Sequence, residues 1–197
     1  YDKAIRHYLQ AREFALEYKE YLRQQLRLKV TSELKASLTR DVLAVNRTLA
    51  ATNNGLGYVQ GLQKLFEDAY YHIDEAITIW TQTGDTREIA RALTSKAILK
   101  RDQGEFEDAA ALFSAALELP YAQDDRLNLS RVFHHKGWNE WELASKASFE
   151  TNEGLLLLEK AHSSLDDSIK SLGEDSKYVR ELSGVYHNIS EMKWKLG

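Results

Sequence analysis

The 197-residue chain has no cysteine, one proline and one methionine. Without cysteine there is no disulfide framework, no thiolate nucleophile and no Cys-type zinc site, and the setting expected is intracellular, in the cytoplasm. One proline and ten glycines leave too little turn chemistry for a β-sandwich, and no period-two strand pattern appears. No apolar run approaches the roughly 18 residues that a membrane span needs. The longest obvious one is Leu155 to Leu158, so no membrane association is expected. Also missing are a Gly-rich phosphate loop, a Gly-x-Ser-x-Gly elbow and a His-Glu-x-x-His pair. What remains is 43% hydrophobic residues, ample for a core, and 28% charged residues, the balance of a soluble helical scaffold.

What is present is periodic. Four sets of residues repeat one pattern: Ala4/Tyr8/Ala11, Ala69/Ile73/Ala76, Ala109/Phe113/Ala116 and Ala161/Leu165/Ser168. Spacings of four and three put each set on one helical face, where small residues let a neighbouring helix approach and the large one fills the gap. Phe66, Ala69, Ile73, Ala76 and Trp80 are each followed, 40 residues on, by Phe106, Ala109, Phe113, Ala116 and Pro120. Leu56-Gly57 is followed likewise by Lys96-Ala97 and Lys136-Gly137. The third and fourth sets lie 52 residues apart, which reads as the same unit with a 12-residue insertion around Ala147 to Asn152. Stacked like pairs of helices are the expected outcome.

Eight helices are predicted, at about 2–29, 32–61, 63–82, 86–102, 105–119, 123–147, 153–172 and 176–196, the first two unusually long. Ala4, Tyr8, Ala11, Ala15, Tyr18 and Leu22 are the expected inner stripe of the first. Thr31-Ser32, a capping box of Asp85 and Glu88, Thr151-Asn152 and Asp175-Ser176 signal helix starts, and Pro120 a stop.

These residues resemble the tetratricopeptide repeat family, whose helix-turn-helix unit carries Trp-x2-Leu-Gly-x2-Tyr on its first helix and Ala-x3-Phe on its second. Asn53, Leu56 and Gly57 match the first pattern best, Tyr186, Ile189 and Ser190 more loosely, and the four sets match the second. Gly104 and Gly197 stand at turns between paired helices. The spacing of 40 departs from the family's 34. The resemblance implies an all-α fold, an α-α superhelix of antiparallel helices running as a single segment over 1–197. Tyr1 and Gly197 fall inside repeats, as expected of a piece of a longer array.

The resemblance also implies that first helices line a groove. That nominates Asn54 and Tyr58, then Arg91, Thr94 and Ser95, then Arg131, His134, His135 and Trp138, and finally His187, Asn188 and Glu191. Asn54 and Tyr58 stand where the family's carboxylate clamp has lysine and asparagine, so chaperone tails are not the expected ligand. Arg131, His134, Trp138 and Trp141 form a single stripe, and tryptophan and arginine are enriched at binding hot spots. The competing reading packs both tryptophans against the inserted turn or the Leu155 to Leu158 run.

The first 50 residues hold 10 Lys/Arg against 6 Asp/Glu, and the rest carry 16 against 24. Arg6, Arg12, Lys19, Arg23, Arg27 and Lys29 offer a face for an acidic partner or phosphates, or simply a solvated one. A pI near 5.9 and no base-stacking ladder argue against nucleic acid. Adjacent His134 and His135 do not chelate one metal as an i, i+4 pair does, and His72 with Asp68 and Glu75, or His162 with Asp166, read as surface ion pairs. No catalytic residue, metal or cofactor is expected.

The function expected is a protein- or peptide-binding scaffold, the sensor or assembly arm of a larger intracellular protein with neighbouring domains on the same chain. The alternative is a structural spacer or self-association arm. Thr83-Gly84-Asp85 followed by Ile89-Ala90-x-Ala92-Leu93 is similar to repeats in bacterial signalling proteins, including arms of nucleotide-switch ATPases and caspase-like proteases.

Overall fold

A computed structural model describes residues 1–28, 30–120, 125–173 and 178–195. Among them are eight α-helices and no strand: α1 (Asp2–Arg27), α2 (Ser32–Leu62), α3 (Phe66–Thr83), α4 (Thr86–Asp102), α5 (Phe106–Glu118), α6 (Arg126–Ala147), α7 (Asn152–Leu172) and α8 (Val179–Lys195). The all-α helical-repeat expectation holds, with α1 and α2 the two longest helices. Lys29, Asp175, Ser176 and Gly197 lie outside the described residues, as do the predicted starts of the sixth and eighth helices.

Two of the predicted caps form. Thr31 Oγ1 accepts the Leu34 N–H at 3.3 Å and Thr151 Oγ1 accepts the Gly154 N–H at 2.9 Å, each satisfying an orphan donor of a first turn. The Asp85/Glu88 box does not form as drawn. The Asp85 N–H donates to the Trp80 carbonyl, and Glu88 pairs with Arg91 instead. The Asp85 carboxylate takes both Arg47 Nε and Nη2 at 2.8 Å, which holds its carboxyl below the usual range. Gly84 and Gly104 close helices with φ of +73° and +82°, a conformation a β-carbon disfavours.

The chain forms two compact units that divide within α4, residues 1–95 and 96–197. In the first, α2 and α3 make a hairpin joined by residues 63–65. Ala69, Ile73 and Ala76 are fully buried, and Gly57 lies against them so closely that a β-carbon there would stand 2.6 Å from the Ala69 carbonyl oxygen. The repeated small-large-small set therefore builds the helix seam.

The first set behaves differently. In α1 the residues buried or half-buried are Ala4, Ile5, Tyr8, Arg12, Ala15, Lys19, Leu22, Gln25 and Leu26, while Ala11 and Tyr18 are exposed. Leu22, Ala15 and Leu26 pack with Leu38, Val42 and Val45 of α2, and Tyr8 lies against Gly55. Of the expected stripe, Tyr8, Ala15 and Leu22 face inward and Ala4 is half-buried, while Arg12 and Lys19 take the inner places expected of Ala11 and Tyr18. The reason is Arg12, whose guanidinium reaches Asn53 Oδ1 at 3.0 Å and Glu75 Oε2 at 2.9 Å and ties α1 to α2 and α3. This removes Arg12 from the solvated basic face expected of it.

In the second unit, α6 and α7 repeat the hairpin. Gly137 takes the place of Gly57, with Leu165 Cγ and the Ala161 carbonyl oxygen at 2.9 and 3.0 Å from where a β-carbon would sit. The 12-residue insertion is a lengthened hairpin. On the 40-residue register α6 runs about five residues past the equivalent ends of α2 and α4, α7 starts about six before the equivalent starts of α3 and α5, and the connection gains one. Trp141, Ala161, Leu165, Val185 and Met192 form the core of this unit, with Trp138, Phe149, Leu158, Ile169 and Ile189 packed on it. Polar groups stitch the same seam: Ser164 Oγ donates to Glu140 Oε2 at 2.6 Å and Lys136 Nζ pairs with Glu140. Ser168 Oγ donates to the Ser130 carbonyl at 2.9 Å.

Candidate protein-binding site

The expected groove residues fall in both units. In the first, Asn54 is half-buried and its Oδ1 is a buried atom with no hydrogen-bond partner among the described residues. Tyr58, one turn on, is exposed. On α4, Arg91 is exposed and pairs with Glu88 at 3.2 Å, and the Ser95 hydroxyl donates to the Arg91 carbonyl. Thr94 is buried and its hydroxyl donates to the Ala90 carbonyl, so it presents no surface to a ligand.

In the second unit the structure gathers part of the expected set into one cleft. Its walls are α6 and α8, its volume is about 530 Å³, and Arg131, His134, His135, Arg180, Glu181 and Gly184 are among its lining residues. Helical spacing of three and four puts Arg131, His134 and His135 on one side of α6, and Arg180, Glu181 and Gly184 on one side of α8. Arg131 and Glu181 face each other at 3.7 Å. Asn188 Nδ2 donates to His134 Nε2 at 2.6 Å, which makes His134 the Nδ1–H tautomer when neutral. Gly184 approaches His134 Cε1, and a β-carbon at this glycine would stand 3.8 Å away, an ordinary contact.

Burial, then the Arg101 charge, holds the His134 ring below its usual pKa. His135, stacked on it with centroids 5.3 Å apart, is pushed down to about 3 by burial first and then by His134, Arg101 and Arg131. Both rings are therefore neutral at pH 7, and the formal positive charge of the cleft lies on its arginines. Arg131 and Arg180 are exposed, and Glu181 is the acidic member of the lining. Such a surface can accept a carboxylate through guanidinium forks while the imidazoles offer flat, uncharged contact area.

Other expected members are placed differently. Trp141 is 3% exposed in the core of the unit, its ring 5.0 Å from that of Trp138 and 6.5 Å from that of Phe149. It belongs to packing, and the half-buried Trp138 leans on the same cluster. This corrects the reading of the stripe as a groove surface at its Trp141 end. His187 is exposed and Glu191 half-buried, and neither lines the cleft. Arg180, Glu181 and Gly184 were not singled out by sequence. The available signal was a glycine inside a helical stretch with an oppositely charged pair three and four residues before it.

His162 and Asp166 sit 3.4 Å apart on the exposed face of α7, and His72 Nδ1 bonds the Asp68 carbonyl, not a carboxylate. Among the described residues no group of three or more His, Asp or Glu side chains is arranged to hold a metal ion, and no helix is long and apolar enough to cross a membrane.

No curated protein and no solved structure matches the chain. A family model described as tetratricopeptide repeat matches residues 48–121, from the second half of α2 past the end of α5. That stretch contains Gly57 with Ala69, Ile73 and Ala76, and the next set 40 residues on, the residues that build the helix seam. Over residues 48–121, then, the chain is similar to the tetratricopeptide repeat family.

Proposed function

We propose that this chain is a protein- or peptide-binding scaffold and that the cleft between α6 and α8 takes an acidic peptide segment. Repeats of this family mediate protein–protein interaction, a role that needs surface and no chemistry of its own. The observation that carries the reading is the cleft lining, where Arg131 and Arg180 stand beside two uncharged, partly covered imidazoles and one acid. Guanidinium groups beside a desolvated wall favour a carboxylate more than the same groups on an open surface. The larger role is that of a recognition arm, working in the cytoplasm as part of a signalling or defence protein. The absence of cysteine supports the setting, and the resemblance of the Trp80 to Leu93 stretch supports the role.

The test uses two labelled pools of ten-residue peptides, one rich in Asp and Glu and one rich in Lys, read by fluorescence anisotropy. The acidic pool is expected to bind and the basic pool not. Reversing Arg131 and Arg180 to glutamate is expected to weaken binding by about tenfold or more with an unchanged melting curve. Equal binding of both pools, or binding indifferent to the reversal, overturns the reading.

A further inference from the structure

A second surface lies on α1, in the other unit. Ala4, His7, Ala11, Phe14, Tyr18, Tyr21 and Gln25 follow one another at alternating spacings of three and four, the a and d positions of a heptad. This line is set one residue off the face that packs on α2. His7, Ala11, Phe14, Tyr18 and Tyr21 are all exposed, Phe14 at 70%, and the Tyr18 and Tyr21 rings stack at 6.1 Å. A seam of three heptads with its large aromatics in water exceeds the scattered apolar exposure that needs no explanation.

The line is graded along its length. Its first half is small, with Ala4 and Ala11, and its second half is large, with Phe14, Tyr18 and Tyr21. Between residues 3 and 22 charge is graded in the same direction, with Asp2 before that stretch and Arg23 after it. Residues 3–12 carry Lys3, Arg6 and Arg12 and no acid, whereas 13–22 carry Glu13, Glu17 and Glu20 against Lys19 alone. Arg12 is turned into its pair with Glu75, which leaves Lys3 and Arg6 to face outward. A helix with both gradients complements itself when reversed. In an antiparallel pair, where a positions meet d positions, a two-fold axis between residues 12 and 13 sets Ala4 against Tyr21, His7 against Tyr18 and Ala11 against Phe14. The same alignment lays the basic half of each helix along the acidic half of the other. A parallel pair does neither, since it sets alanine on alanine and like charge on like.

We propose that α1 is a self-association surface on which a second copy of this chain docks antiparallel, residue 11 of one copy against residue 14 of the other. The contact runs over residues 4–21, about 27 Å of helix. Contacts of that length sit at the small end of specific interfaces, so a dissociation constant of order 10 µM is expected. The surface is separate from the α6/α8 cleft, so either proposal can fail alone.

Sedimentation velocity on the chain from about 1 to 200 µM is expected to show a shift from monomer to dimer across the predicted constant. Phe14→Glu is expected to weaken association about a hundredfold with the helical spectrum and melting curve unchanged. The register is read by crosslinking, because the chain has no cysteine of its own. Oxidising a mixture of Ala11→Cys and Phe14→Cys chains is expected to give the mixed dimer far in excess of either self-dimer. A chain that stays monomeric at 200 µM overturns the proposal and gives the stripe to a helix of other origin. A dimer that survives Phe14→Glu, or that crosslinks Ala11→Cys to itself, overturns it equally.

Discussion

The α2/α3 hairpin of the first unit and the α6/α7 hairpin of the second share a register and differ in what fills it. Both close on a glycine set against the second helix, Gly57 on Ala69 and Ile73, Gly137 on Ala161 and Leu165. Eighty residues apart on that register, the first has the buried Gly61 where the second has the buried Trp141. A tryptophan in that place needs room, and the lengthened hairpin brings Phe149 beside the indole, its ring 6.5 Å away. The first hairpin stays short and is tied to α1 by the charged group of Arg12, Asn53 and Glu75. The small-large-small set fixes where two helices meet, and the residues one turn away decide whether the joint is held by aromatic volume or by charge.

That contrast can be broken at its strongest point first. Trp141→Ala is expected to cost about 3–5 kcal/mol in the second unit, from lost burial and the cavity left behind, and differential scanning calorimetry would show it. Acidification should come next and touch the same unit. His135 is neutral in the fold, with its pKa pushed down to about 3 from 6.5. Between those values the unfolded chain binds the extra proton, so stability is complete above about pH 6.5 and is lost as pH falls toward 3. His135→Phe should flatten the part of the melting-temperature profile that falls between pH 6.5 and 4. Gly57→Ala is expected to cost about 1–3 kcal/mol, because the added methyl meets a backbone oxygen that has no rotamer to yield. Gly137→Ala should cost less, since the nearest atom there belongs to the Leu165 side chain.

The charged joint predicts smaller numbers. Arg12→Ala is expected to cost about 1 kcal/mol by urea unfolding, discounted because both partners keep partial contact with water. Thr151→Ala, which removes one cap from α7, should cost about 1 kcal/mol or less.

Much of this was readable from the sequence. The spacing of four and three at Ala69/Ile73/Ala76 and Ala109/Phe113/Ala116 is the imprint of a helix seam, and it located both hairpin ends of the insertion to within a turn. The inner face of α1 was readable in part, at Tyr8, Ala15 and Leu22, and missed at Ala11 and Tyr18. The stripes through residues 4, 8, 11 and 5, 8, 12 differ by one position, and the choice between them rests on an ion pair between Arg12 and Glu75, 63 residues apart. The candidate cleft was legible on its α6 side, through Arg131, His134 and His135. Its α8 side was legible only at Asn188, which bonds His134, because the loose family match centred on Ile189 and Ser190 while Arg180, Glu181 and Gly184 lie about one and a half to two and a half turns earlier. Trp141 was read into the groove stripe, and the competing reading, packing, is the one the structure bears out. It is buried in a cluster with Ala161, Leu165, Val185 and Met192, and Phe149 from the longer hairpin packs on the same cluster.

The central claim is a division of labour, in which Ala161, Leu165 and their equivalents hold helices together while the facing sides of α6 and α8 do the recognising. Amide chemical-shift mapping of the chain, titrated with the tightest binder from the acidic peptide pool, tests it most directly. Shifts are predicted at Arg131, His134, Arg180, Glu181 and Gly184, with the amides of Ala161 to Ser168 unmoved. A binder that shifts the α7 seam or α1 and leaves the α6/α8 cleft silent would contradict it.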